Sequence, residues 1–447
     1  MPASPLDSRL YGALFGDPEL APLFTDAAEI RAMLLVEGAL AKVQAALGLI
    51  PAAAGAAIFA ASREVDIPAA DLAAETGANA VPVPALVAAF RARLPPEAGH
   101  WLHWGATSQD ILDTALMLRL RQAIAGFDRR LAALLARLAD LAETHAALPM
   151  AARTYAQIAT PTSFGAVVAS WGLPLLRQRQ RLQNVKNDLL YVSLSGAAGT
   201  NSAMGPRAPE VRAGLAAELD LADPGVSWHS GRDGVATFAQ WLSLATQLLG
   251  KMGEDTILLS QSGIEEIRLT AGGGSSTMPQ KVNPVGPSVL VALARQAAAL
   301  EAAMTGAALH RQARDATAWL TEWLSLPQLV LGLGGALRTA QRLAETLAPA
   351  PERMRAPLTE GPGLLYAEAL SFALAETLPR PAAQAAAKAL AAEARESGTP
   401  LAALAARDHP GRDWAALLAP EAQLGQAPAE ARAFAATVRA AAPVAPG

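Results

Sequence analysis

The 447-residue chain has no cysteine, which excludes disulfides, thiolate nucleophiles and cysteine-bound metals. Aromatic residues are scarce, at 5%, while alanine and leucine abound; this composition suits helix far better than sheet. An excess of one charge is also lacking. The formal net charge is −4 and the two signs alternate along the chain, so no nucleic-acid or membrane-surface footprint is expected and a small-molecule partner fits better. No apolar run reads as long enough to span a bilayer, and MPASPLDSRLYG has no charged segment leading into an apolar one. The expectation is a soluble cytoplasmic protein.

What the chain does have is helical periodicity. Residues 1–110 mix short helical patterns with breaks at VPVP (81–84) and RLPPEAG (93–99). Residues 114–148 then hold apolar side chains at helical spacing with one glycine and no proline, predicting a helix of roughly 50 Å. Similar stretches recur at about 161–192, 231–262, 284–311 and 317–347. The expected fold is all-α: an elongated five-helix bundle over 111–348, between smaller helical domains at 1–110 and 349–447. Helices this apolar leave surface for other subunits to cover, and alanine permits close approach, so a homo-oligomer is expected.

Polar chemistry gathers at the breaks. HWGATSQDILDT (103–114) places small and hydrogen-bonding residues just ahead of the first long helix, where free amides and hydroxyls favour an anion or simply cap the helix. ARTYAQIATPTSFG (152–165) repeats the arrangement with Arg153, Thr154, Tyr155 and Gln157. SGAAGTNSAMG (195–205) offers only side chains too small for chemistry, as in a close-packed turn. GGGSSTMPQKVNP (272–284) combines mobile glycines with stiff prolines and presents hydroxyls and one cation, like a hinged flap. Its lysine stands out because the chain has five lysines against thirty-one arginines. The order of glycine, lysine and hydroxyl excludes a Walker-type phosphate loop. His100, His145, His310 and His409 lack spacing with carboxylates that suggests a metal site, so no metal is expected.

HWGATSQD, ARTYAQIATPTSFG and GSSTMPQKVNP together resemble the three signature regions of the fumarase/aspartase superfamily, over roughly residues 100–345. Within it, HWGATSQDILDT, WHSGRDGVATFAQWLSL and RDATAWLTEWLSLPQL are most similar to the bacterial 3-carboxy-cis,cis-muconate cycloisomerases. The resemblance implies a homotetramer whose active sites combine the three regions from three subunits, with no metal or organic cofactor. It also implies chemistry through a carbanion held as an aci-carboxylate, for which anion-binding donors are the essential equipment. Carried over by residue, Ser275 is the flap serine that handles the carbon-bound proton, and Lys281 and Asn283 contact substrate carboxylates, with Ser276 and Met278 beside them. Thr107, Ser108, Thr154 and Gln157 supply polar contacts, joined by His103 and Arg153. Arg314, in HRQARDATAW, and His229, in WHSGRDG, are further substrate-binding candidates.

Two departures bear on the chemistry. Many members of the superfamily have a histidine where this chain has Tyr155, paired with a glutamate where this chain has Ser288. Expelling hydroxide or an amine needs a proton donor, whereas a carboxylate, whose acid ordinarily ionises near a pH of about 4, departs as it stands. The loss of the pair favours lactone formation from a tricarboxylate substrate in aromatic-acid degradation, with Ser275 or Lys281 delivering the carbon-bound proton. The alternative is a superfamily lyase, either adenylosuccinate-lyase-like or one expelling nitrite.

Overall fold

In the computed structural model, residues 4–270, 273–274, 278 and 281–441 are described. Five long helices cross the middle of the chain where the apolar periodicity predicts them. After an N-terminal helix α1 (Asp26–Ala46), they are α2 (Ser108–Thr144), α3 (Phe164–Leu189), α4 (Asp233–Ser260), α5 (Val285–Ala307) and α6 (Ala316–Thr346). Their starts carry local signals: Ser163 Oγ accepts from the Ala166 amide at 3.1 Å and the Asp315 carboxylate from the Thr317 amide at 2.9 Å.

The five helices share one core, in which Phe127, Leu131, Phe164, Phe238, Leu242, Leu290 and Leu333 are fully buried. Helices α4 and α5 approach closely at Gly250 and Gly253. A Cβ on Gly250 would lie 2.5 Å from that of Ala294, and one on Gly253 would lie 2.7 Å from the Pro287 carbonyl. The small residues therefore set the spacing of this helix pair. α1 is longer than the short N-terminal patterns suggest; it buries Met33, Leu34 and Val36 in a second cluster with Phe90, Ile111 and Leu118. A third cluster gathers Leu370, Leu390, Leu404 and Trp414, with α7 (Arg380–Ser397) at its centre. The final helix, α8 (Ala427–Ala440), returns to pack on α2 and α3, seating the Phe434 ring over Gly172.

Helix α5 corrects one expectation. Its 23 residues are long and apolar enough to cross a membrane by length and composition, and only 33% of its most apolar window is buried. Arg295, which reaches Glu254 on α4 at 3.3 Å, and Glu301 interrupt its apolar surface, and one face packs between α4 and α6. Leu309 and Leu324, 82% and 72% exposed, add to the uncovered apolar surface near the α5–α6 turn.

Sheet is confined to short ribbons. β1 (Pro149–Thr154) and β2 (Gln157–Ser163) form an antiparallel hairpin; β3 (Ile267–Leu269) pairs with β6 (Leu347–Pro349); and β4 (Gly273–Gly274) pairs with β5 (Val282–Asn283) at the root of the flap. The sequence pattern does not anticipate the hairpin. Its two tip residues, Tyr155 and Ala156, have φ of 48° and 61°, a left-handed pair normally given to Asn-Gly, so nothing in the sequence marks the turn.

Candidate active site

The site residues fall into two groups at opposite ends of α2. Its 37 residues span about 55 Å. Thr107 precedes its first turn and the hairpin follows its last.

At the first end, Asp110 organises the backbone. Its fully buried carboxylate accepts from the amides of Thr107 (3.0 Å), Ser195 (2.8 Å) and Gly196 (2.9 Å), from the Ser193 hydroxyl (3.2 Å), and contacts His229 Nε2 at 2.8 Å. The small-residue turn at 195–199 is thus sewn to the start of α2, and His229 is buried behind Asp110. Thr107 Oγ1 accepts from Arg314 Nη1 at 2.5 Å, and the same nitrogen lies 3.3 Å from the Ala197 carbonyl. The structure therefore brings Thr107, Ser108 and Arg314 together, although more than two hundred residues separate them in sequence.

His103 lies on the turn leading into this site. Its backbone is left-handed, with φ of 64°, and its Nδ1 stands 2.6 Å from the buried Glu37 carboxylate of α1. One α-helical face holds this turn twice, because Gln44 Nε2 also donates to the Trp104 carbonyl at 2.8 Å. Burial disfavours the imidazolium, but the charge and hydrogen bond of Glu37, aided by Asp110 and opposed by Arg91, outweigh it and raise the His103 pKa above its ordinary value.

Beneath this end lies a buried ionic cluster. Arg232, only 2% exposed, donates to Asp113 (2.7 Å) and to Glu322 (2.9 and 2.5 Å), stacks 4.8 Å from the Trp228 ring, and is joined by Trp319 Nε1, which donates to Asp113 at 3.2 Å. The two carboxylates overcome the desolvation of Arg232 and raise its pKa further. The cluster locks the start of α4 to α2 and α6, fixing the frame on which Asp110 and Arg314 stand. Sequence reasoning misses it, as it misses Glu37; the only trace of Glu37 is a lone acid in the apolar run AMLLVEGALA.

At the second end, Arg153 forms a two-pronged ion pair with the buried Glu266, 2.8 Å on each arm, just after a register shift in β1 between Ala151 and Arg153. Its guanidinium braces the hairpin against the β3 segment. Thr154 and Gln157 pair across the tip, and Tyr155 is fully exposed. On the flap, Lys281 is exposed with its amide donating to the Met278 carbonyl at 3.0 Å, Met278 is itself exposed, and Asn283 is held in the β4–β5 pair. Ser275 and Ser276 lie outside the described residues. Ser288 Oγ donates to the Pro284 carbonyl at 2.8 Å. Among the described residues, no group of three or more histidines and carboxylates is placed to hold a metal ion.

The chain is 40% identical over 382 residues to a 3-carboxy-cis,cis-muconate cycloisomerase of Pseudomonas aeruginosa, covering 84% of this chain and 83% of that protein. It is 34% identical over 450 residues to a nitrosuccinate lyase of Streptomyces davaonensis, covering 95% and 94%. Its fold matches the crystal structure of the 3-carboxy-cis,cis-muconate lactonizing enzyme of Pseudomonas putida with a TM-score of 0.91 at 34% identity, over 97% of this chain and 99% of that one. The lyase family profile matches residues 17–299. With the described parts of the three signature regions set at ends of the long helices, the chain belongs to this lyase family, within the fumarase/aspartase superfamily.

Proposed function

We infer that this chain is an enzyme that closes 3-carboxy-cis,cis-muconate to a carboxymuconolactone, in the degradation of protocatechuate. One carboxylate oxygen bonds to the nearer carbon of the opposite double bond, closing a five-membered ring. The π electrons move to the carbon beside the other carboxylate, and a proton arrives there. No atom leaves, so no oxygen needs protonation. The observation that carries this reading is the state of the two positions that elsewhere supply an acid pair: Tyr155 stands at an exposed hairpin tip and the Ser288 hydroxyl is turned onto its own helix. The kinship with cycloisomerases supports it.

The charge that builds on the aci-carboxylate is met by Lys281, Arg314 and the hydroxyls of Thr107, Ser108 and Thr154, with Asn283 and Gln157 as neutral donors. Ser275 or Lys281 delivers the carbon-bound proton. Arg153 acts through the hairpin it braces. Because one chain holds its two groups about 55 Å apart, the length of α2, this reading requires a homotetramer in which different subunits complete each site; the uncovered apolar surface of α5 supports that assembly. It takes the chain as cytoplasmic, with domain divisions near 110 and 348, and as needing no cofactor.

Loss of the muconate ultraviolet absorbance on addition of the purified protein, without release of nitrite, ammonia or fumarate, tests the reading. Nitrosuccinate elimination is the second reading, favoured by the similarity over 95% of the chain and by nitrite leaving without a proton; nitrite release from nitrosuccinate would establish it.

A further inference from the structure

We propose that Glu37 is a positioning residue that fixes His103 as an imidazolium, with Nε2–H turned toward the site to bind one carboxylate of the substrate. This deepens, and rests on, the polyacid reading of the site.

The argument starts from the cost of Glu37. It lies in the apolar run of α1 with its side chain 1% exposed, and its second oxygen, Oε2, has no hydrogen-bond partner among the described residues. A buried carboxylate so poorly satisfied destabilises the fold unless it meets a positive charge. The group it meets is His103 Nδ1, at 2.6 Å. A neutral imidazole would leave the carboxylate uncompensated, whereas an imidazolium forms a short charge-assisted hydrogen bond.

The backbone is bent to make this contact. His103 is one of few non-glycine residues with left-handed φ, a conformation that strains an L side chain. Gln44, two helical turns beyond Glu37, grips the next residue, so α1 holds both sides of the bend. The ring's other nitrogen has no partner among the described residues, and the side chain is one-fifth exposed (20%). It sits four residues before Thr107, which Arg314 already engages. The charged groups acting on the ring are Glu37 from α1, Asp110 from α2 and Arg91 from the helix Val83–Arg91; the two acids favour the proton and the arginine opposes it. A substrate with three carboxylates needs a third cation besides Lys281 and Arg314, and this pair supplies one.

The test compares wild type with Glu37→Gln, which keeps shape and removes charge. For 3-carboxy-cis,cis-muconate, KM at pH 7 should rise roughly tenfold with kcat changed less than twofold, equivalent to about 1.4 kcal/mol. At pH 5.5, closer to where His103 takes up a proton without Glu37, the KM difference should shrink. His103→Gln should show the raised KM at both pH values, and the double variant should lose nothing more. A KM equal to wild type at pH 7, or a loss confined to kcat at every pH, would overturn the proposal; the second result would make the pair a proton donor instead. NMR titration of His103, assigned by its absence in His103→Gln, reads the charge without substrate. If wild type fails to turn over the muconate, the functional reading falls while the titration still decides the role of Glu37; an unchanged His103 titration in Glu37→Gln would overturn that role. Should Glu37→Gln not fold, Glu37→Asp, with its shorter reach, is titrated in its place: a lowered His103 midpoint supports the proposal and an unchanged one overturns it.

Discussion

Arg153 and Glu266 stand 113 residues apart in sequence and meet through two contacts of 2.8 Å, the one partly exposed and the other buried. The asymmetry predicts unequal mutants. Arg153→Ala leaves a buried carboxylate without its cation and should cost about 3–5 kcal/mol, read as a lowered urea midpoint. Glu266→Gln leaves the arginine with access to water and should cost markedly less. Equal losses would show that the pair's burial does not govern its energetics.

The Asp113–Arg232–Glu322 cluster predicts a reversal with pH. Burial pushes the Glu322 pKa up, but contacts with His310 and Arg232 more than offset this and leave it below the ordinary glutamate value of 4.5. A depressed folded-state pKa gives stabilisation that is complete above about pH 4.5 and is lost as pH falls through the folded value. Arg232→Met strands the buried Asp113 and Glu322 carboxylates, and the pKa of Glu322, no longer held down by Arg232, then rises. That variant should be least stable at neutral pH, by about 3–5 kcal/mol, and should gain stability as the solution is acidified from pH 7 toward 4.5. Urea midpoints across this range should stay flat for the wild type as far as Glu322 contributes and rise toward pH 4.5 for Arg232→Met.

Arg314 is exposed, so its contribution should be to turnover and not to folding. If Arg314 holds a substrate carboxylate as proposed, Arg314→Ala, which also loses the Thr107 contact, should lower kcat/KM about 100-fold, near 2.7 kcal/mol, with the unfolding midpoint unchanged within error. Arg314→Lys should recover only part, since a point charge cannot span Thr107 and the substrate as a planar fork does. Full activity in Arg314→Ala would remove this residue from the site.

Separation of the two residue groups predicts complementation. Lys281→Ala and Arg314→Ala, each strongly impaired alone, should regain activity when co-refolded, approaching about a quarter of wild-type sites for random mixing of four subunits. Mixtures no more active than their components would mean that each chain completes its own site.

The long helices are legible because each depends on a pattern repeated over twenty or more residues; the pattern spans 284–311 where the helix is Val285–Ala307, while the first begins at Ser108, six residues before the expected 114. The signature segments are legible as short strings. What stays hidden is long-range pairing. Glu37 with His103, Arg232 with Asp113 and with Glu322, and Arg153 with Glu266 are each 66 to 119 residues apart, and no local spacing encodes such a partner. The Tyr155–Ala156 turn is hidden for a different reason: closing the hairpin with two residues between Thr154 and Gln157 imposes left-handed backbone on residues that do not prefer it.

Helix α2 acts as a ruler. One end carries the Thr107 turn and the other carries the hairpin, so a single residue inserted between them would shift one end by about 1.5 Å and swing it through roughly 100°. In an assembly whose catalytic clefts are completed by neighbouring copies, that error would be repeated at every cleft simultaneously. The residue count of α2 would then be a mechanical tolerance of that proposed assembly.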